Sequence, residues 1–187
     1  MSGTKDRILE TALELFSRRG YEGVSVSDIS GALGMTKSAL YKHFPGKRGI
    51  FDGILRHMEE ADREAARESG VPEESLEKSP ERYAGTGMEE LKRFALERFD
   101  YWTADSFGSK FRRLLTLEQY ASEEMGGLYD AYLGSGPLGY VEDILGSGEK
   151  ALEFYGGMFI LMSAWDRATD RAAVRERLKE YIEKFEV

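Results

Sequence analysis

VSVSDISGALGMTKSALYKHFPGKR, residues 24–48, is the stretch that decides the fold, and it predicts two short helices joined by a tight turn. Ser25 stands where a helix N-cap is needed, and Asp28 follows three residues later, a spacing that lets each side chain bond to the backbone N–H of the other. Gly34 suits the position at which a left-handed residue stops the first helix. Pro45 disfavours helical geometry at the residue before it, which ends the second helix.

The second helix, from about Lys37 to Phe44, has the composition of a helix that reads DNA. With its apolar residues facing inward, small hydroxylated residues at its start allow the backbone to approach base edges, and longer side chains further along can reach phosphates. The predicted DNA contacts in and around these two helices are Ser25, Ser27, Thr36, Lys37, Ser38, Tyr41, Lys42, His43 and Lys47. The alternative interpretation is a solvated basic helix on a three-helix domain.

A preceding helix is predicted from about residue 4 to residue 19, because apolar residues recur there at helical spacing. Together, this helix and the two that follow it resemble the N-terminal domain of the TetR (tetracycline repressor) family over residues 7–55. Ser27 departs from the pattern, since many members have a basic or larger polar residue there that contacts DNA. The matching residues are Ala12, Leu15, Phe16, Gly20, Tyr21, Val26, Ile29, Gly34, Ala39, Leu40, Tyr41, Phe44 and Lys47.

Composition divides the chain into a cationic end and an acidic remainder. Residues 1–50 contain eight Lys and Arg against five Asp and Glu, a net charge of +3, whereas the 187-residue chain carries −8. This distribution fits a protein that meets DNA with one end only. The chain has no cysteine, which excludes disulfides, Cys-ligated zinc and thiol catalysis. The first 16 residues lack the apolar core of a secretion signal, so a cytoplasmic location is expected.

We predict an all-α protein with two domains: a three-helix helix-turn-helix domain at residues 1–46 and a larger helical effector-binding and dimerisation domain at residues 47–187. A long helix from about residue 46 to residue 69 connects them, and residues 69–87 are predicted to be a loop because they are rich in Gly, Pro and Glu without periodicity. The apolar run Phe154–Trp165 is too short for a membrane span, which needs about 20 residues. No membrane association is expected.

The last two predicted helices, from Glu149 to Phe185, favour a homodimer. The first of them is apolar almost all round and needs cover on several sides. Gly156 and Gly157 in its middle suggest the close approach of another backbone. A monomer that completes its own core is the alternative, but the resemblance implies dimerisation through the last two helices, as in TetR-like regulators.

Aromatic and Met side chains beyond the first domain suggest an apolar pocket for a small molecule. A well-packed aromatic core is the alternative interpretation. The resemblance implies an effector site beside the connecting helix, whose ligand the sequence does not identify. The predicted lining residues are Met58, Trp102, Tyr120, Tyr129, Met158 and Met162.

The functional prediction is a ligand-responsive transcriptional regulator, a repressor that a small molecule releases from a palindromic double-stranded DNA operator. Its repressor character is implied by the resemblance. An architectural DNA-binding protein without an effector is the alternative. An enzyme is not expected, because the chain has only two His and no HExxH, phosphate-binding loop or nucleophile elbow. We therefore predict no catalytic residue, no metal and no cofactor.

Overall fold

The computed structural model describes residues 3–68 and 87–186, and every regular element in these two ranges is a helix. The all-α prediction is thus confirmed, while the predicted loop lies outside the described residues except for its last residue. The helices are α1 Thr4–Arg19, α2 Val26–Ala32, α3 Lys37–Tyr41, α4 Lys47–Glu68, α5 Met88–Thr103, α6 Gly108–Glu118, α7 Glu123–Leu133, α8 Ser135–Leu145, α9 Gly148–Trp165 and α10 Arg171–Glu183.

The α3 and α8 helices show how local chemistry sets helix boundaries. Regular helix in α3 ends at Tyr41 rather than at Phe44, although the Phe44 N–H still donates to the Leu40 carbonyl at 3.1 Å. The α8 helix begins at Ser135. Pro137 lies in its first turn, where the missing N–H of proline has no intrahelical partner to lose.

The described residues 3–68 and 106–126 form one compact unit, which we call the head unit. Its centre is α1, whose buried face packs against α4 and α6. Both α4 and the later helix α6 belong to the same unit as α1. The predicted domain boundary after residue 46 stays a prediction. An ion pair of 2.9 Å between Lys110 of α6 and Glu14 of α1 joins two of these helices, and the lysine lowers the pKa of the glutamate.

The described residues 87–105 and 127–186 form the second unit, the body unit. Here α9 packs against α5, α8 and α10. The buried Tyr155 of α9 donates its hydroxyl to the Leu133 carbonyl at 2.7 Å, and burial raises the pKa of this phenol. On the surface, Arg175 of α10 bonds both carboxylate oxygens of Asp100 in α5, at 2.8 and 2.7 Å.

The two glycines in the middle of α9 differ in their surroundings. A Cβ atom at Gly157 would lie 2.5 Å from the ring of Tyr181 in α10, whose hydroxyl donates to the Glu153 carbonyl. The close neighbour of Gly157 is thus an aromatic side chain, not a backbone. Gly156 faces open space, with nothing within 4 Å of where its Cβ would be.

Within the described residues, no helix combines the length and the apolarity that a membrane span requires. The apolar run Phe154–Trp165 forms the last two-thirds of α9, where five of its side chains are buried in the body unit and Ile160 is exposed.

Candidate nucleic-acid interface

The start of α2 is closed by the predicted capping box. The Asp28 N–H donates to the Ser25 hydroxyl oxygen at 3.2 Å, and the Ser25 N–H donates to the Asp28 carboxylate at 2.8 Å. The Ser25 hydroxyl also donates to that carboxylate, and Arg19 of α1 donates to it at 3.1 Å. These hydrogen bonds, first those from Ser25 and then that from Arg19, lower the pKa of Asp28 to about 2. The cap therefore holds a permanent carboxylate at neutral pH.

The turn between α2 and α3 follows from local chemistry. Gly34 has a φ of 65°, a conformation that a side chain would disfavour. Thr36 caps α3, since its hydroxyl accepts from the Ala39 N–H at 3.2 Å. Leu40 and Phe44 are buried and fix α3 to the rest of the head unit.

With that face buried, α3 presents a polar row to solvent. Lys37, Ser38 and Lys42 are exposed, and Tyr41 is 52% exposed. Within residues 3–68 and 87–186, none of these four side chains has a hydrogen bond, an ion pair or a ring contact. We call these four residues the recognition row. Two cations, a hydroxyl and a phenol are thus available together to phosphates and base edges.

Four other predicted contacts lie near this row and differ in their hydrogen bonding and burial. The Ser25 and Thr36 hydroxyls already serve as helix caps, and Ser27 lies in the first turn of α2. His43 is half-buried after the end of α3. Their contacts with DNA stay predictions, and the capping hydroxyls retain only part of their hydrogen-bonding capacity for DNA.

Lys47, at the start of α4, lies within a set of protein contacts. Its Nζ donates to the Tyr21 carbonyl at 3.1 Å and to the Glu22 carboxylate at 3.3 Å, and it lies 4.2 Å from the centre of the Tyr21 ring. The side chain is only 23% exposed. The structure thus gives Lys47 a structural role, and its predicted phosphate contact stays untested.

Two residues that support the interface were not among the predicted contacts. Arg19 links the end of α1 to the α2 cap and also donates to the Gly23 carbonyl at 2.6 Å. The Tyr21 ring packs between Phe16 and Phe51, with ring centres 5.2 and 5.3 Å away. Tyr21 belongs to the residues that match the family, and this match was the signal in the sequence that could have identified it. Its ring contact with Phe51 could not be predicted, because Phe51 is distant in sequence.

The predicted effector-lining residues divide between the two units. Met58 of the head unit is buried, whereas Tyr120 of the same unit is 91% exposed and so lines no interior surface. In the body unit, the remaining predicted residues are buried or half-buried. They are Trp102, Tyr129, Met158 and Met162. Their role in holding a ligand stays a prediction.

Comparison with known proteins shows which family the helix-turn-helix resembles. Residues 8–54 match the model of the family described as bacterial regulatory proteins, tetR family. Through these residues, about a quarter of the chain, the protein resembles the TetR family. The matched segment contains most of α1, all of α2 and α3, and the first two turns of α4, including the whole recognition row.

A regulator described as HTH-type resembles the same part of the chain. The negative transcriptional regulator IcaR of the biofilm operon icaADBC in Staphylococcus aureus (strain Newman) is 40% identical over 52 residues. The match covers 28% of this chain and only 28% of IcaR. The similarity in sequence is thus confined to about a quarter of each protein.

Solved structures of the TetR family extend the likeness in fold to nearly the whole chain. The regulator PfmR from Thermus thermophilus has a TM-score of 0.64 at 23% identity, covering 98% of this chain and 95% of its own. A TetR-family transcriptional regulator from Bordetella parapertussis has a TM-score of 0.67 at 18% identity, covering 98% and 96%. At these identities the comparison establishes a shared fold.

Proposed function

We propose that this protein is a TetR-family transcriptional repressor that binds an operator in double-stranded DNA through α3. The recognition row carries the proposal, because its four side chains are exposed and without partners in the described residues while Leu40 anchors the opposite face of the same helix. Small residues at the start of α3 permit close approach to base edges. Repression is favoured by the likeness to IcaR, which is named a negative regulator.

A homodimer is part of this proposal, and one face of α9 supports it. Leu152 and Ile160 are 63% and 67% exposed, and they flank Gly156, which has open space around it. A spacing of four residues places all three on one side of the helix. An apolar face of this kind on a regular helix favours a second copy of the chain as its cover.

Charge at the two ends of this face indicates how the second copy would align. Glu149 is exposed in the first turn of α9, and Arg167 is exposed just after its last turn. An antiparallel pair of α9 helices related by a two-fold axis would place each glutamate near the arginine of the other copy. A dimer carries two copies of α3, and helix-turn-helix dimers bind half-sites about 34 Å apart on one side of the duplex.

Selection from a random-sequence library of duplexes about 40 base pairs long tests the proposal. We expect an inverted repeat whose half-site centres lie one helical turn, about 10 base pairs, apart. Lys37→Ala should change the preferred bases, whereas the wild-type preference should survive a doubling of salt. Recovery of no duplex at low salt refutes DNA binding. Salt-sensitive binding without any sequence preference refutes the repressor and supports the architectural alternative.

Release by a small molecule is the last part of the proposal. The buried aromatic and Met residues of the body unit, Trp102 and Met162 among them, are typical of surfaces that hold apolar ligands. To shift the protein from mostly bound to mostly free, a ligand must prefer the released state by about 5 kcal/mol. A thermal-shift screen followed by operator titration should find compounds that raise Tm and weaken DNA binding. If every stabilising compound leaves operator affinity unchanged, release by ligand is refuted.

A further inference from the structure

The peptide group of Tyr21 is held from both sides by helices that are distant in sequence. Its carbonyl accepts from Lys47 of α4 at 3.1 Å. Its N–H donates to the carboxylate of Glu118, the last residue of α6, at 3.0 Å, across 97 positions of sequence. Its ring packs on Phe16 of α1. Tyr21 is therefore the point at which α1, α4 and α6 of the head unit meet.

The Glu118 carboxylate lies close to Gly20 at the end of α1, and a larger residue there would require that carboxylate to shift. A Cβ atom at Gly20 would lie 2.5 Å from the Glu118 carboxylate oxygen. Gly20 also has a φ of 73°, so both its conformation and its surroundings favour glycine. The end of α1 is thus shaped around the Glu118 side chain.

We propose that Glu118 is a positioning residue for DNA binding, which holds the α1–α2 turn through the Tyr21 N–H and thereby fixes the placement of α2 and α3. The inference rests on the proposed function, because it assumes that α3 binds DNA. It makes α6 part of the DNA-binding apparatus, although the matched family segment ends at residue 54.

The physical reason lies in the short distance along the chain from this hydrogen bond to the interface. Only Glu22, Gly23 and Val24 separate Tyr21 from the Ser25 cap of α2. Removing the Glu118 carboxylate leaves a part-buried backbone N–H without its acceptor. The turn then gains freedom to rotate toward water, and DNA binding has to restore its original arrangement.

Glu118→Ala, Glu118→Gln and Lys110→Met test the inference on the full-length protein. The alanine variant removes the acceptor, and the glutamine variant keeps an acceptor oxygen while removing the charge. Lys110→Met is the matched control, since it removes another polar link between α6 and α1, the 2.9 Å pair with Glu14, without touching Tyr21. Binding to the best duplex from the library is measured by fluorescence anisotropy, and exchange of the Tyr21 amide is measured by NMR or mass spectrometry.

We expect Glu118→Ala to weaken DNA binding about tenfold and to speed exchange of the Tyr21 amide by a similar factor, as loss of a charged acceptor implies. Glu118→Gln should recover most of both losses, whereas Lys110→Met should bind DNA like the wild type. The inference is overturned if Glu118→Ala binds DNA as tightly as the wild type, or if Lys110→Met weakens binding equally. Failure of the wild type to bind any duplex would instead refute the proposed function.

Discussion

Lys42 and Lys47 are two lysines of the helix-turn-helix region for which the structure indicates opposite roles. Lys42 is exposed and has no side-chain partner within the described ranges. Lys47 contacts the Tyr21 carbonyl, the Tyr21 ring and Glu22. Replacing each by Met removes the ammonium group and keeps an unbranched stem, so the two substitutions form a matched pair.

The expected loss of stability for Lys47→Met follows from these contacts. A charged donor to a carbonyl contributes about 1.5 to 3 kcal/mol, and a half-buried cation over an aromatic ring adds about 1 kcal/mol. The pair with Glu22, whose side chain is 84% exposed, adds little. Ordering the lysine side chain offsets about 1.5 to 2 kcal/mol of this sum. The net loss is about 1 to 2 kcal/mol, which lowers the urea midpoint by roughly 0.5 to 1 M.

Lys42→Met should leave the urea midpoint unchanged, because its ammonium group has no partner to lose among the described residues. Its effect should be on DNA, where the loss of one phosphate contact per copy reduces the slope of log affinity against log salt by about 0.9 for each copy bound. Urea titrations followed by circular dichroism, and anisotropy titrations over a series of salt concentrations, measure the two effects separately.

The opposite pattern would refute this reasoning. If Lys47→Met has the wild-type urea midpoint and a flatter salt dependence, then its ammonium group binds phosphate and the contacts with Tyr21 and Glu22 contribute nothing to stability. If Lys42→Met leaves the salt slope unchanged, the recognition row does not face the DNA backbone at that position.

Three further predictions concern the dimer, the packing of α9 and the α2 cap. Ile160→Ser should weaken self-association between about tenfold and a hundredfold, because burying this side chain, which is 67% exposed, contributes about 1 kcal/mol in each of two copies. An unchanged dissociation constant of the dimer in a sedimentation dilution series contradicts this. Gly157→Ala should lower Tm despite its better helix propensity, since the new methyl group meets the Tyr181 ring; a rise in Tm would show that the ring moves aside freely. Asp28→Asn should lower Tm at pH 7 but much less at pH 2. The folded-state pKa of Asp28, about 2, lies below its unfolded value, so the stabilisation by the carboxylate is complete above about pH 4 and is lost as the pH falls through about 2. An equal loss of Tm at both pH values contradicts an ionic contribution of this cap.

The sequence by itself determined those features that depend on neighbours along the chain. The Ser25 cap with Asp28, the glycine turn at Gly34 and the inward position of Leu40 were all predicted, and the structure confirms each. These features depend on hydrogen bonds across three or four residues, on the conformational freedom of glycine and on helical periodicity, which can all be read from a short window.

Only the tertiary structure decided which distant residues meet. It placed Lys47 on Tyr21, 26 residues away, it placed Glu118 on the same peptide group, 97 residues away, and it left Tyr120 exposed. Helical periodicity shows which face of a helix is apolar but not which other helix covers it. A polar side chain at the end of a helix can serve equally well as a DNA contact or as a partner for a buried backbone group. That choice depends on how the helices of the head unit pack around α1, because packing brings chain segments together irrespective of their separation in sequence.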